Sequence, residues 1–209
     1  MLKLYGQAPT RVLRVHWLLN ALGLEYEEVP VNFFEGEHQK PEFLRLNPAG
    51  KVPVLVDGDT VLTESSAIQL YLAEKFPQAG LIPQSLAERG QMYQWIFFLV
   101  SEIEQPLWRI ARNTSQLYPE HEHQPLDVQI ATRECRAMLA VLEKHMEGRE
   151  YLVGERVSVA DMNAAYTLDW AGEAKMLDDA PHLRAFLQRM YARPEAPVTI
   201  AEAFAALES

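Results

Sequence analysis

Two short segments carry residues whose types and spacing fit a ligand with polar, charged ends. In the first, Asn47-Pro48-Ala49-Gly50-Lys51-Val52-Pro53-Val54-Leu55, a turn leads into an apolar strand with a proline near its start. A cis Val52–Pro53 bond would turn the N–H and C=O of Val52 outward, where they can pair with an extended peptide. The alternative is an ordinary trans proline on an edge strand.

The second segment, Thr63-Glu64-Ser65-Ser66-Ala67-Ile68, reads as a strand that passes directly into a helix. Backbone N–H groups at a helix start are unpaired and carry partial positive charge, so they suit a ligand carboxylate. The Ser65 hydroxyl adds a donor, and the Glu64 carboxylate can accept from an ammonium group. The alternative is that Ser65 only caps its helix.

Composition excludes several classes of function. The 209 residues carry a net charge of −10, which argues against nucleic acid and against an anionic membrane surface as partners. A single cysteine, Cys135, rules out an intramolecular disulfide and is expected to be a packed, inert thiol. His121-Glu122-His123 lies in a polar loop without further ligand spacing, so no metal is predicted. With no apolar run of membrane length and no visible signal peptide, the predicted location is the cytoplasm.

The pattern of predicted secondary structure changes near residue 80. Before it, strand and helix patterns alternate in the order β-α-β-α-β-β-α, which predicts one mixed sheet covered by helices. After a linker with two prolines, the patterns are helical. Ser85-x-x-Glu88 and Ser158-x-x-Asp161 both match capping boxes, and Pro106 is predicted to bend or end the first of these helices.

These motifs together resemble the cytosolic glutathione transferases, over essentially the full chain. The resemblance is to a bacterial type with a serine- or threonine-like N-terminal site. The matching segments are LYG, Arg14-Val15 with Trp17-Leu18, GEHQKPEFLRLNPAGKVPVLVDG, TESSAIQLYLAEKF and SVADMNAAY. The family's fold is an α/β thioredoxin-like N-terminal domain plus an all-α C-terminal domain. The resemblance implies a glutathione-binding domain at 1–77, a linker at 78–84 and a helical domain at 85–209.

The resemblance also implies which residues hold glutathione. Val52 would supply its backbone pair to the cysteinyl unit, beside a cis Pro53. Glu64 and Ser65 would hold the γ-glutamyl end, while Lys51 and His38 would contact the glycyl end. Asp161 would cap a buried helix and take no part in catalysis. Glutathione would be a cosubstrate, and no other cofactor is implied.

The group that activates the thiol is less clearly marked. Thr10 aligns with the position usually occupied by serine, where a hydroxyl at a helix N-terminus would donate to the thiolate. Tyr5, Gln7 or a backbone donor are the alternatives. The alternative role of Thr10 is that of a helix cap or a surface hydroxyl.

The resemblance implies an electrophile pocket in the helical domain, with Trp108 and Arg112 as lining candidates, followed by Tyr118 and Trp170. Packing and surface charge are the alternative roles for them. The predicted function is conjugation of the glutathione thiolate to a small hydrophobic electrophile, by a homodimer. Two alternatives stay open: a glutathione-dependent peroxidase or disulfide reductase, and a non-catalytic binding or regulatory protein of this fold.

Overall fold

The computed structural model describes residues 1–33, 35–116 and 118–207, and the chain divides into two compact units. One unit joins Met1–Ile82 with Tyr191–Ser209, and the other is Pro83–Met190. The segment from Tyr191 onward therefore belongs to the unit that contains the sheet. Within this unit, the centroids of the Tyr191 and Trp17 rings lie 4.9 Å apart. In addition, Asn20 Nδ2 donates to the Glu195 C=O at 3.2 Å. As functional domains, the ranges 1–77 and 85–209 stay a prediction.

The first unit is built on a four-stranded mixed sheet in the order β2-β1-β3-β4. The strands are β1 (Leu2–Tyr5), β2 (Tyr26–Val29), β3 (Val54–Asp57) and β4 (Thr60–Thr63). β1 is parallel to β2 and antiparallel to β3, and β3 is antiparallel to β4. This sheet and the helices of the second unit confirm the predicted fold class.

The helices follow the chain order predicted from the sequence, with one short helix added at the end. They are α1 (Val12–Leu22), α2 (Pro41–Leu44), α3 (Ser65–Lys75), α4 (Leu86–Phe98), α5 (Gln105–Thr114), α6 (Pro125–Met146), α7 (Val159–Glu173), α8 (Pro181–Tyr191) and α9 (Ile200–Leu207). No helix among the described residues is both long enough and apolar enough to cross a membrane.

Side-chain alternation along β1 creates two apolar layers in the first unit. Leu2 and Leu4 are buried, and the packed pair α1 and α3 supplies further buried side chains to the core of this unit. Tyr5 packs instead with a second, smaller cluster centred on Val31, Phe43 and Val54. Because side chains on a strand alternate between faces, Leu4 and Tyr5 serve different layers.

In the second unit, the helical run that begins with α4 continues past Pro106. Its Ser85 cap is confirmed, since the Glu88 N–H donates to Ser85 Oγ at 3.1 Å. The chain then passes through a six-residue π-helical segment, Leu99–Glu104, directly into α5, in which Pro106 is near the start. Proline lacks an N–H and its ring crowds the carbonyl four residues earlier. The proline follows directly on the π-helical segment, and the helical run continues past it. Of the two predicted effects of Pro106, ending the helix is therefore wrong, and a bend stays a prediction.

The helix α7 forms the centre of this unit, and most of its residues are buried. Its N-terminus has the predicted capping box between Ser158 and Asp161. The Asp161 carboxylate accepts at 2.8 Å from the N–H groups of Leu152 and Ser158 and from the Ser158 hydroxyl. Asp161 thus ties the loop before the helix to its first turn.

Candidate functional site

Strand register brings the candidate ligand residues of the first unit to one end of the sheet. Val54 pairs with Tyr5 on one side and with Thr63 on the other, so these three residues form one row. Residues 6–10 follow that row on β1, Val52-Pro53 precede it on β3, and Glu64 with Ser65 follow it on β4. We call these three segments the site edge. Separate stretches of sequence therefore meet there because of the antiparallel pairing.

The Val52 segment lies at the site edge just before β3 begins. The Val52–Pro53 peptide bond is cis, as the resemblance implies, and the strand ladder starts only at Val54. Asn47, a buried residue, shapes the preceding turn: its Oδ1 accepts from the Ala49 N–H at 3.0 Å, and its Nδ2 donates to the Lys51 C=O at 2.7 Å. Asn47 is a site residue that the motifs did not single out, although an asparagine before proline and glycine is a recognisable signal for an Asx turn.

Lys51 and His38 come from adjacent segments. The Glu37–Gln39 turn of 3₁₀-helix packs on Gly50 so closely that a Cβ there would lie 2.5 Å from Gln39 Nε2 and 3.1 Å from the His38 C=O. Gly50 also has a φ of +61°, which favours glycine, and a Cβ would crowd the backbone carbonyl of His38. The His38 ring stacks on Phe33 with centroids 4.3 Å apart, and its Nδ1 has no hydrogen-bond partner among the described residues. Lys51 is exposed.

Glu64 marks the point where β4 passes into α3. Its φ of +66° and ψ of +109° fall outside the regions that non-glycine residues favour, at a cost on the order of 1–3 kcal/mol. Its side chain is exposed, whereas that of Ser65 is buried. No side chain caps the start of α3, so the reading of Ser65 as a plain helix cap is wrong.

Instead, the Ser65 hydroxyl is engaged by a buried arginine. Arg14 Nη1 donates to Ser65 Oγ at 3.2 Å, across the packed pair α1 and α3. Gln69 Nε2 in turn donates to the Arg14 C=O at 2.6 Å. Sequence analysis used Arg14 only as part of a motif. Its position among apolar helical neighbours was a signal, because a charged residue on a buried face needs a polar partner.

Thr10 lies at the site edge, in the turn before α1. Its hydroxyl donates to the Gln7 C=O at 2.7 Å, and its Oγ1 accepts from the Val12 N–H at 3.3 Å. The Thr10 hydroxyl therefore holds the turn that leads into α1. Gly6 ends β1 against the Val52 segment, since a Cβ on Gly6 would lie 3.1 Å from Val52 Cβ. Tyr5 packs against the Val31 cluster.

In the second unit, two of the predicted pocket residues share a contact with Tyr118. The Trp108 and Tyr118 rings meet edge to face at 6.3 Å, and the Arg112 guanidinium lies 5.0 Å from the Tyr118 ring centre. Arg109 differs from Arg112, because it forms ion pairs with Asp127 and Glu134. Among the described residues, Arg112 forms no ion pair of this kind, although its charge also acts on Asp127. Trp170 is half-buried near the end of α7.

The His121-Glu122-His123 loop has a structural contact of its own. His123 Nε2 lies 3.1 Å from the Tyr118 C=O, which ties the two ends of the loop together. Over the described part of the chain, no group of three or more His, Cys, Asp or Glu side chains is arranged to hold a metal ion.

Cys135 is fully buried in α6, with Sγ 4.0 Å from the Ile103 C=O. Burial raises the pKa of its thiol to about 11, because the thiolate would lose its hydration. We therefore expect native protein to react with Ellman's reagent at least about 100-fold more slowly at pH 8 than the chain unfolded in guanidinium, since only the thiolate reacts. Rapid release of one equivalent of thionitrobenzoate from folded protein would contradict this prediction.

Comparison with known proteins identifies the fold around this site. Residues 1–74 match the glutathione S-transferase N-terminal domain, and residues 96–194 match the C-terminal domain. Glutathione S-transferase F9 of Arabidopsis thaliana is 30% identical over 97% of both chains. Glutathione S-transferase 3 of Zea mays is 34% identical over 96% of this chain and 93% of its own. A family member from Pseudomonas fluorescens, solved with two glutathione bound, has a TM-score of 0.83 at 29% identity, covering 93% of this chain and 90% of that one.

Proposed function

Because the chain belongs to the glutathione S-transferase family, a family of transferases, we propose that it binds glutathione along the site edge and conjugates its thiolate to a small hydrophobic electrophile. The observation that carries this proposal is the register Tyr5–Val54–Thr63. It brings together the backbone of Val52 just before β3, the N-terminus of α3 and the Thr10 hydroxyl, which suit a peptide with a carboxylate and a thiol. The bacterial type of the family and the cytoplasmic location stay predictions.

Each part of glutathione has a proposed partner at the site edge. The backbone of Val52 pairs with the cysteinyl unit, beside Pro53. Ser65 and the N–H groups that begin α3 bind the γ-glutamyl carboxylate, and the exposed Glu64 accepts from the ammonium group. The strained φ of Glu64 supports this role, since strained residues cluster where ligands bind. Lys51 and the imidazole of His38 bind the glycyl carboxylate.

The proposed reaction begins with loss of the thiol proton to solvent. A thiol with a pKa of about 8.5 is mostly protonated at pH 7, so the thiolate needs stabilisation. The Thr10 hydroxyl, after rotating away from the Gln7 C=O, donates to the sulfur, and the N-terminus of α1 adds a favourable field. The sulfur lone pair then forms a bond to the electrophilic carbon, and the leaving group departs with its bonding electrons. Trp108 and Arg112 are proposed to contact the electrophile.

A second candidate function is the reduction of a hydroperoxide or disulfide by two glutathione molecules. The solved family member from Pseudomonas fluorescens contains two bound glutathione molecules, and this observation supports the second candidate for this chain. In that reaction, one glutathione thiolate attacks the hydroperoxide oxygen or the disulfide sulfur, which breaks the O–O or S–S bond and releases an alkoxide or a thiolate. The second glutathione thiolate then attacks the sulfur of the resulting sulfenic acid or mixed disulfide, releasing hydroxide or the second substrate thiolate and forming oxidised glutathione. Both candidates use the same site edge.

The proposal is tested first by calorimetric titration with reduced glutathione at millimolar concentration. We expect measurable binding, weakened about tenfold in Ser65→Ala, because a hydrogen bond to a charged group is lost. Thr60→Ala is the matched control, since Thr60 lies at the opposite end of β4, and its affinity should not change. A silent titration would reject the proposed function in favour of a non-catalytic protein. Assays with chlorodinitrobenzene and with cumene hydroperoxide then separate conjugation from reduction.

The homodimer is also a proposal, and an exposed apolar row supports it. Phe97 is 69% exposed on α4, with Leu86 and Val100 exposed on the same helical stretch. We expect light scattering after gel filtration to give about twice 23.8 kDa, and Phe97→Glu to give the monomer mass, because a buried unpaired charge is costly at an interface. Phe204→Glu, on the 55% exposed Phe204 of α9, is the control and should remain a dimer. A wild-type monomer would contradict the proposal.

A further inference from the structure

Arg14 is a charged residue in a place where packing alone would select an apolar one. It is 1% exposed and lies within a buried stretch of α1 that includes Val12, Leu13 and Val15. Burying a guanidinium is costly unless it is hydrogen-bonded. One of the contacts of the guanidinium is a hydrogen bond from Nη1 to the Ser65 hydroxyl at 3.2 Å. Arg14 thus contacts the hydroxyl of Ser65, which is proposed to bind glutathione, and this contact points to a role in ligand binding.

The chemistry of this contact determines how the Ser65 hydroxyl is oriented. A guanidinium has donors and no acceptor, so Ser65 Oγ must be the acceptor in this bond. The hydroxyl proton of Ser65 is therefore not used by Arg14, and it contacts no acceptor among the described residues. Ser65 is buried, which restricts the directions in which the proton can turn. The Arg14 contact thus leaves the hydroxyl ready to donate.

A second contact between α1 and α3 joins Gln69 to the backbone of Arg14. The buried side chain of Gln69 donates from Nε2 to the Arg14 C=O at 2.6 Å, four residues along the helix from Ser65. Two contacts, one to the side chain and one to the backbone of Arg14, therefore connect α1 to the first turns of α3. Together they hold the guanidinium opposite Ser65.

We propose that Arg14 is a positioning residue for glutathione: it directs the Ser65 hydroxyl proton toward the γ-glutamyl carboxylate and adds a buried positive charge beneath that carboxylate. This inference rests on the proposed function, because it assumes that Ser65 binds glutathione. It predicts that Arg14 contributes to ground-state binding of one end of the tripeptide and takes no part in activating the thiol.

The test is a double-mutant cycle of Arg14→Met and Ser65→Ala, measured by calorimetry with two ligands. The ligands are glutathione and 4-aminobutyryl-cysteinyl-glycine, which lacks only the γ-glutamyl carboxylate. We expect Arg14→Met to weaken glutathione about tenfold and the carboxylate-free analogue by less than about twofold. In the Ser65→Ala background, Arg14→Met should weaken glutathione binding by less than about a further threefold, since the two residues act through one hydroxyl.

Kinetic measurements distinguish positioning from general support of the fold. Arg14→Met should raise KM for glutathione while leaving kcat and the pH profile of kcat unchanged. Arg14→Lys, which keeps a charged donor, should restore affinity to within about threefold of wild type. Methionine retains the length and apolar character of the arginine stem, so a folded protein is expected. If Arg14→Met fails to fold, the cycle is run with Arg14→Gln.

The outcomes separate this inference from the proposed function. If Ser65→Ala binds glutathione as tightly as wild type, the assigned glutathione site is wrong. If Ser65→Ala weakens glutathione but Arg14→Met does not, the role of Arg14 alone is wrong. Equal losses for both ligands, or fully additive effects of the two substitutions, would also overturn it, because either result indicates a structural role only.

Discussion

Replacing Thr10 with alanine is expected to slow thiolate attack about 10- to 100-fold at neutral pH, while the affinity for glutathione with a protonated thiol, measured below the pKa of the bound thiol, stays nearly unchanged. One hydrogen bond to a charged group contributes about 1.5–3 kcal/mol, which corresponds to that range of rates. Thr10 is proposed to contact only the sulfur, so the two carboxylate ends of glutathione keep their partners. Steady-state kinetics with chlorodinitrobenzene, together with calorimetric titration of glutathione, measure the two quantities separately.

The pH dependence of this variant identifies the cause of the loss. If Thr10 stabilises the thiolate, its removal shifts the apparent pKa of bound glutathione upward, toward the value of about 8.5 for a free thiol. The rate difference should therefore be larger at pH 6.5 than at pH 9. Thr10→Ser keeps the hydroxyl and should retain most activity. The loss of the Val12 N–H contact is expected to cost about 1 kcal/mol of stability, which thermal unfolding will show.

Unchanged turnover in Thr10→Ala would remove Thr10 from the mechanism. In the structure, the Thr10 hydroxyl donates to the Gln7 C=O, so it must rotate away from this carbonyl before it can donate to a sulfur. Tyr5→Phe is the companion variant for the alternative donor. Tyr5 packs against the Val31 cluster, so we expect Tyr5→Phe to change the rate of thiolate attack by less than about threefold.

The largest expected effect on stability comes from Asp161→Ala. The Asp161 carboxylate is fully buried and accepts from two backbone N–H groups and one hydroxyl. Without it, the N–H groups of Leu152 and Ser158 lose their partner, at about 1–3 kcal/mol each. We expect a loss of about 3 kcal/mol or more in the free energy of unfolding, measured by urea denaturation. Asp179→Ala, on an exposed aspartate, should change it by less than about 0.5 kcal/mol.

The effect of Asp161 should also depend on pH in a defined direction. Burial raises the pKa of Asp161 to about 6 from an ordinary value of 3.8, despite its three donors. Between these values the folded state binds a proton that the unfolded state does not, so the stability contributed by Asp161 falls as pH rises. The destabilisation caused by Asp161→Ala should therefore be larger at pH 5 than at pH 7. A loss below about 1 kcal/mol at both pH values would contradict the capping role.

Local signals were sufficient for most elements of the fold. The alternation in Leu2–Tyr5 predicted β1, and the patterns at Ser85 and Ser158 predicted the starts of α4 and α7. These predictions succeeded because strand alternation and helix capping depend on residues close together in sequence. At Pro106 the predicted end of the helix is wrong, because the chain passes through a π-helical segment into the next helix, and nothing in the sequence pattern indicates that segment.

By itself, the sequence determined the family, the order of strands and helices, and the segments that carry the candidate ligand residues. Only the tertiary structure decided which polar atoms meet: that Arg14 reaches Ser65, that Asn47 holds the Lys51 carbonyl, and that Thr10 donates to Gln7. The physical reason is that patterns report on neighbours along the chain. The Arg14–Ser65 contact joins residues 51 positions apart, and it depends on how α1 and α3 pack.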